Sequence, residues 1–583
     1  MKLLGHLKEY TKESIIGPLF KLLEASFELV IPLVMAGIID VGIKNRDYPY
    51  IYKMGALMIL LGLLGLACSL TAQYFAAKAA VGFGTNLRKH LFAHINSLSF
   101  QEVDQTGTST LITRMTNDIN QVQAGVNLVL RLFLRSPFIV VGAAVMAYTI
   151  HKELSVFFLV AILILSLVIY GIMAMTIPLY KKVQGRLDRV LLSARENLTG
   201  ARVIRALNRQ EQEISQFRDS SDGLMKVQLL TGRISALMNP VTFLLINAAI
   251  LAIIWFGGIE VNLGVLTQGE VVALINYMSQ ILLALLALAN LIIAFTRAMA
   301  SGARVQEVFA IPSGAKDMVR EKETPIAGKA SEKVVPVIEF REVSFAYATA
   351  QENSLNAISF SVKRGETIGI IGGTGSGKST LIHLIPRFYD ATKGIIRVDG
   401  EDVQRYTIKQ LRSKFGLVQQ HAALFRGTIR DNMKLGKKDA TDEEILNALE
   451  ISQARDFIDK MSEGLDTLLE QGGKNLSGGQ KQRLTLARAL VKQPEILILD
   501  DSSSALDYVT DARLQKAIRE RLRGTTVLIV TQRVANIRNA DRIMVLDEGE
   551  MVGFDTHQKL LATCEVYREI CTSQGADKEG TGV

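Results

Sequence analysis

Up to about residue 300 the chain is a series of long apolar runs separated by charged segments, and beyond it apolar and polar positions alternate as in an ordinary α/β domain. Four runs, Met54–Ala77, Leu154–Ile177, Met238–Gly258 and Val271–Thr296, carry no charge. Each is about 20 residues or longer, enough to cross a hydrocarbon core of roughly 30 Å at about 1.5 Å per residue. Two weaker runs complete the set: Ile15–Ile39, interrupted by Lys21, Glu24 and Glu28, and Leu128–Ile150, which carries Arg131 and Arg135.

Charge between the runs sets their direction. Tyr180–Ser235 holds eleven Lys and Arg, and Ile259–Gln268 holds none. Basic connectors stay on the cytoplasmic side, so six spans put both termini inside a multi-pass protein of the cell membrane. The opening "MKLLGHLKEYTKES" lacks a cleavage pattern and predicts an amphipathic helix on the inner leaflet. Ala79–Val126 and Lys181–Leu237 read as helical extensions of the spans into the cytoplasm. Their turns near Ser109–Thr116 and Ala206–Glu213 are expected to dock on whatever cytoplasmic domain follows.

Ionisable groups inside a membrane are costly and face a cavity or a partner. Glu24 and Glu28 are four residues apart, as are Arg131 and Arg135, so each pair shares a helical face. Two readings stand at this level: the four line a substrate path together with Asn276 and Gln280, or the two faces pair with each other or meet the water interface. Asn247, Asn276, Gln280 and Asn290 suit contacts between helices, and Trp255 suits an interfacial anchor.

Composition agrees with a membrane portion, since 49% of the 583 residues are hydrophobic and the mean hydropathy is +0.23. The net charge of +9 resides largely in the segments between apolar runs, where topology accounts for it, and no aromatic-basic motif supports nucleic-acid binding. Cys68, Cys564 and Cys571 have no metal-ligand spacing and no disulfide framework.

Residues 311–336, "IPSGAKDMVREKETPIAGKASEKVVP", form a charged, Gly- and Pro-containing boundary between a six-helix membrane domain (1–310) and a second domain (337–571), with a short tail (572–583). The second domain opens on a strand-like "VIEFREVSFAY". It then reaches "ETIGIIGGTGSGKST", in which Gly372–Ser379 matches G-x-x-x-x-G-K-S between an apolar strand and a helix. In such a loop, with Gly372, Gly375 and Gly377, backbone N–H groups close around phosphate oxygens. Lys378 supplies a point charge and the hydroxyl of Ser379, at the Ser379–Thr380 helix start, can hold Mg²⁺. The strand Ile496–Leu499 ends at Asp500, a second carboxylate for Mg²⁺. "NLSGGQKQRLTLARAL" opens a helix with another anion-binding turn, Ser477–Gln480, one more than a single domain needs for its own phosphates.

This motif set resembles the ATP-binding cassette family, and the fusion of six spans ahead of the cassette resembles its exporter half-transporters. The resemblance implies an α-helical six-span domain plus an α/β P-loop domain, working as a dimer with two ATP molecules and Mg²⁺ between the cassettes. Carried over by position, Tyr347 would stack on adenine, and Gln420 in "GLVQQHAALF" would be the lid glutamine that also meets the metal. Ser477, Gly478, Gly479 and Gln480 would meet the partner's ATP, and Asp507 would cross the interface. "TGTSTLITRMTND" and "ALNRQEQE" would be the coupling helices.

Two positions depart from that pattern. After the second carboxylate the family normally has Glu as base, and here stands Asp501; the later T-x-R triplet normally carries His, and here stands Gln532. Asp is shorter by one C–C bond, about 1.5 Å. A base must sit within roughly 3 Å of its proton, and a misplacement of about 1 Å costs on the order of a hundredfold in rate, about 2.7 kcal/mol. Gln keeps a hydrogen bond to the terminal phosphate but cannot carry charge or relay a proton as imidazole does. With an intact signature turn, the combination implies the slow-site subunit of a heterodimeric, multidrug-type exporter of hydrophobic or amphipathic compounds, whose second, non-identical subunit supplies the competent residues. The alternatives are a slow homodimeric exporter of lipid or peptide and a nucleotide-gated channel or sensor, though no span has the dense polar lining of a pore.

Overall fold

The structure, a computed structural model, describes residues 2–312, 335–348, 350 and 352–575. The greater part of the expected linker lies outside the described residues. The chain divides into two compact units, residues 1–95 with 109–310, and residues 96–108 with 311–583.

Among the described residues, six helices are long and apolar enough to cross a membrane: Gly5–Ile43, Tyr48–Asn96, Thr108–Ile150, Ser155–Thr199, Gln210–Asn262 and Gln268–Ala310. The six expected spans, including the two weaker ones, lie within them, only Leu154 falling one residue before its helix. The opening residues 1–14, expected as an amphipathic helix, are helical over their described part, as a 3-10 helix Lys2–Tyr10 that runs into the α-helix Thr11–Gly37. Close approach is set by small residues, as is usual where lipid removes the hydrophobic drive between helices. Gly125 lies against Ala298, and Gly269 against the backbone of Ala36; a Cβ at either would collide. Asp40 accepts from Thr267 Oγ1 at 2.6 Å and from the N–H of Gly269 at 2.8 Å. The fully buried Tyr277 donates to the carbonyl of Leu29 at 2.6 Å.

The third span is broken. Its regular helix ends at Leu132 and restarts at Arg135. Pro137 has no N–H to give to the carbonyl of Phe133, so the ladder is interrupted there.

Among the described residues the second unit contains two main sheets and a two-stranded one that pairs Gly427–Thr428 with Leu468–Leu469. The larger runs in the order Glu550–Asp555, Arg542–Asp547, Thr367–Gly372, Thr526–Val530, Ile496–Asp500, Phe415–Val418, antiparallel only in its first pair. Its central strands "ILILD" and "TVLIV" are buried throughout, the unbroken apolar pattern of a parallel sheet covered on both faces. The smaller, antiparallel sheet orders Leu355–Val362, Ile338–Phe345, Lys393–Val398 and Glu401–Asp402. Cys68, Cys564 and Cys571 are buried and not disulfide-bonded.

The docking turn expected near Ser109–Thr116 is displaced. Ser109–Thr116 belongs to the membrane unit, and the stretch that packs with the cassette is 96–108. It carries the helix Phe100–Thr106, capped by Ser99 and Glu102 in a reciprocal box and stopped at Gly107, φ +79°. Serine, a glutamate three residues on and a later glycine were readable signals for this helix. The second expected turn, Ala206–Glu213, contains a tight reversal at Leu207–Arg209 with Asn208 at φ +53°, exposed and within the membrane unit.

Candidate functional site

The phosphate loop follows the central strand Thr367–Gly372. Gly375 and Gly377 hold φ of +85° and +92°, and a Cβ at Gly377 would lie 2.6 Å from the carbonyl of Ser354. These positions demand glycine for backbone geometry and for space. Lys378 Nζ donates to the carbonyls of Gly372, at 3.0 Å, and Gly373, at 2.5 Å, which keeps the ammonium over the loop. Burial lowers its pKa, opposed by Asp500 and Asp501.

Ser379 Oγ lies 3.2 Å from Asp500 Oδ1. Burial raises the pKa of Asp500, and Ser379, His383 and Lys378 oppose the rise. A serine hydroxyl beside a buried carboxylate is a hard-oxygen donor set, which fits Mg²⁺ held with nucleotide phosphates. Tyr347 donates to or accepts from Thr380 Oγ1 at 3.1 Å, and its ring meets Phe345 and Tyr389 edge-on. The backbone carbonyl of Gln420 accepts from Gln482 Nε2 at 3.0 Å, leaving the Gln420 side chain exposed.

In strand register Val530 pairs with Asp500, so the two unusual residues lie at the same ends of neighbouring strands. The N–H of Asp501 donates to the carbonyl of Val530 at 2.9 Å. Asp501 has φ +44°, a left-handed conformation that Asp tolerates better than most non-glycine residues. Gln532 is exposed two residues beyond Val530.

Ser477 caps the helix Gly478–Val491, accepting from the N–H of Gln480 at 3.3 Å, while Gln480 Oε1 accepts from the N–H of Ser477 at 2.9 Å. The side chain of Gln480 is thus engaged in its own cap. Gly479 leaves room beside Ala505, whose carbonyl would be 3.0 Å from an added Cβ. Asp507 likewise caps its own helix, Tyr508–Arg521, through the N–H and hydroxyl of Thr510, which hold its carboxyl below the usual range.

On the flank of the phosphate-loop helix, the His383 ring lies 5.8 Å from Phe388 and 6.4 Å from Tyr389. Phe388 packs on Phe100 at 4.6 Å, Arg412 covers Phe388 at 4.9 Å, and Tyr389 donates to Asp104 at 2.6 Å. The helix Phe100–Thr106 therefore touches the cassette through Phe388 and Tyr389, which neighbour His383 on the phosphate-loop helix. Sequence reading missed these partners because they come together only through packing.

In the membrane unit, Arg135 Nη2 sits 2.8 Å from each carboxylate oxygen of Glu28, and Gln280 Nε2 donates to the carbonyl of Glu28 at 3.3 Å. These three line a cavity of about 330 Å³. The other expected cavity residues are elsewhere. Glu24 is nearly buried in a pair with Lys21 at 2.5 Å, and Lys21 also donates to Ser69. Arg131 bonds to Gln73 at 3.3 Å, and Asn276 is exposed and bonds to its own helix backbone.

Family models match the chain twice: as an ABC transporter transmembrane region over residues 14–285 and as an ABC transporter over residues 355–504. An uncharacterized ABC transporter ATP-binding protein of Bacillus subtilis, YfiB, is 39% identical, covering 98% of both chains. An ATP-dependent lipid A-core flippase of Pectobacterium atrosepticum is 30% identical over 91% of this chain and 90% of its own. The structure of a bacterial Atm1-family ABC exporter with ATP bound shares the fold, at a TM-score of 0.78 and 22% identity, covering 98% of this chain and 99% of that one. With six apolar helices preceding one nucleotide-binding domain among the described residues, the chain belongs to the ABC transporter family and has the fold of an exporter half-transporter.

Proposed function

We propose that this half-transporter is the slow-site subunit of a heterodimeric exporter of hydrophobic or amphipathic compounds in the cell membrane, with its cassette in the cytoplasm. The observation that carries the reading is the convergence of Asp501 and Gln532 at adjoining strand ends. Two departures at one nucleotide position, beside an intact Ser379–Asp500 pair, favour holding ATP over cleaving it. Lys378 and the glycine loop would hold the phosphates, and Ser379, Asp500 and Gln420 would hold Mg²⁺, which when bound neutralises phosphate charge. Ser477, Gly478 and Gly479 would serve the nucleotide on the partner's phosphate loop, and Asp507 would lie across the interface. Glu28, Arg135 and Gln280 would meet the polar end of the cargo, and the likeness to a lipid A-core flippase is compatible with a lipid amphiphile among the cargoes.

The test is phosphate release by the purified chain alone. The expected outcome is saturable ATP binding with poor hydrolysis, and a gain on the order of a hundredfold for the Asp501→Glu, Gln532→His double variant. Because position 501 is left-handed, Glu there should also cost about 1 kcal/mol of stability. Brisk, transport-coupled turnover by the unaltered chain on its own would rule the reading out.

A further inference from the structure

The last helix among the described residues, Glu565–Ser573, is anchored by Tyr567 and Cys571, both fully buried in the apolar cluster that also holds Val534 and Ile537. The residue capping its C-terminal end, Gln574, turns its side-chain amide onto the loop that follows Thr526–Val530. Gln574 Nε2 donates to the carbonyl of Gln532 at 2.6 Å, and Gln574 Oε1 accepts from the N–H of Val534 at 2.9 Å. One primary amide thus satisfies two backbone groups that flank Arg533, as a neighbouring strand would.

The same loop is held from within and from behind. The N–H of Arg533 donates to Thr531 Oγ1 at 3.0 Å, and Asn536 Nδ2 donates to Ser503 Oγ at 2.7 Å, tying the loop to the segment after Asp501. The backbone of Gln532 is therefore fixed, while its side chain stays exposed.

We propose that Gln574 is a positioning residue, a latch that presents Gln532 to the terminal phosphate of ATP and so sets how strongly this site prefers ATP to ADP. The inference rests on the reading of Gln532 as the residue that meets that phosphate. A loop ordered in advance loses less freedom when it engages a ligand. ADP has no terminal phosphate, so its binding gains nothing from the latch.

The experiment measures ATP and ADP affinities, with Mg²⁺ and at low temperature, for the full chain in lipid nanodiscs. Gln574→Ala should weaken ATP by about fivefold, the scale of one or two hydrogen bonds, and leave ADP within about twofold. Gln574→Glu, which keeps side-chain volume but sets a carboxylate against the Gln532 carbonyl, should do the same. Gln532→Ala should lower the ATP preference equally, and combining it with Gln574→Ala should add nothing. If Gln532→Ala lowers the preference and neither Gln574 variant does, the latch is wrong and the reading of Gln532 as the residue that meets the terminal phosphate stands. If Gln532→Ala has no effect, both fall. A Gln574 variant that weakens ATP and ADP together, with a lower melting temperature, assigns Gln574 a purely structural role and overturns the proposal.

Discussion

Arg135 Nη2 bridges both oxygens of Glu28 at 2.8 Å, at the point where the third span restarts after its break. A guanidinium at the first residue of a helix opposes the helix dipole, and the carboxylate from the first span offsets it. The Nε of Arg135, the Oε1 of Gln280 and the Oγ of Ser136 are buried with no hydrogen-bond partner. The pair thus borders a polar spot in an apolar setting.

Replacing one partner should therefore hurt more than replacing both. Glu28→Gln or Arg135→Gln alone is expected to destabilise the detergent-solubilised chain by about 1–2 kcal/mol, a value reduced because both side chains are partly exposed. The double variant should recover part of that loss. A thermal-denaturation double-mutant cycle checks it, and additive losses would show that the pair contributes no coupling.

Burial raises the pKa of Asp500, so the folded cassette holds a charge that it disfavours at neutral pH. With the folded pKa above the unfolded value, stability increases as pH falls through the folded pKa, and the full penalty is present above it. Asp500→Asn should melt higher than the unaltered chain at pH 7 without nucleotide, and the gap should close as pH drops towards the carboxylate range. The same variant should lose Mg²⁺-dependent stabilisation by ATP. Melting curves at several pH values, with and without Mg-ATP, measure both effects.

The contacts of Phe100 with Phe388 and of Asp104 with Tyr389 predict a variant that separates ATP binding from transport. Phe100→Ala should leave the affinity for ATP within about twofold, because no nucleotide-loop residue is altered. It should lower cargo movement per ATP several-fold in vesicles containing the working assembly, on the order of the coupling that a packed aromatic pair supplies. Unchanged transport would remove the helix Phe100–Thr106 from the coupling path.

Much of the molecule was legible in one dimension because its signals are local. Uncharged runs of membrane length marked the spans, since lipid leaves no cheap place for charge. The glycine loop was readable because φ values near +90° and the lack of room at Gly377 can be met by glycine alone. Asp501 and Gln532 were visible as single-letter departures. Contacts between distant segments were decided only by the tertiary structure. The register that sets Asp501 beside Val530, the pairing of Glu28 with Arg135 but of Glu24 with Lys21, the docking of 96–108 in place of 109–116, and the grip of Gln574 on Gln532 all join segments whose meeting no local pattern encodes. Local preferences follow from neighbours in the chain, whereas these pairs follow from which helices and strands pack side by side.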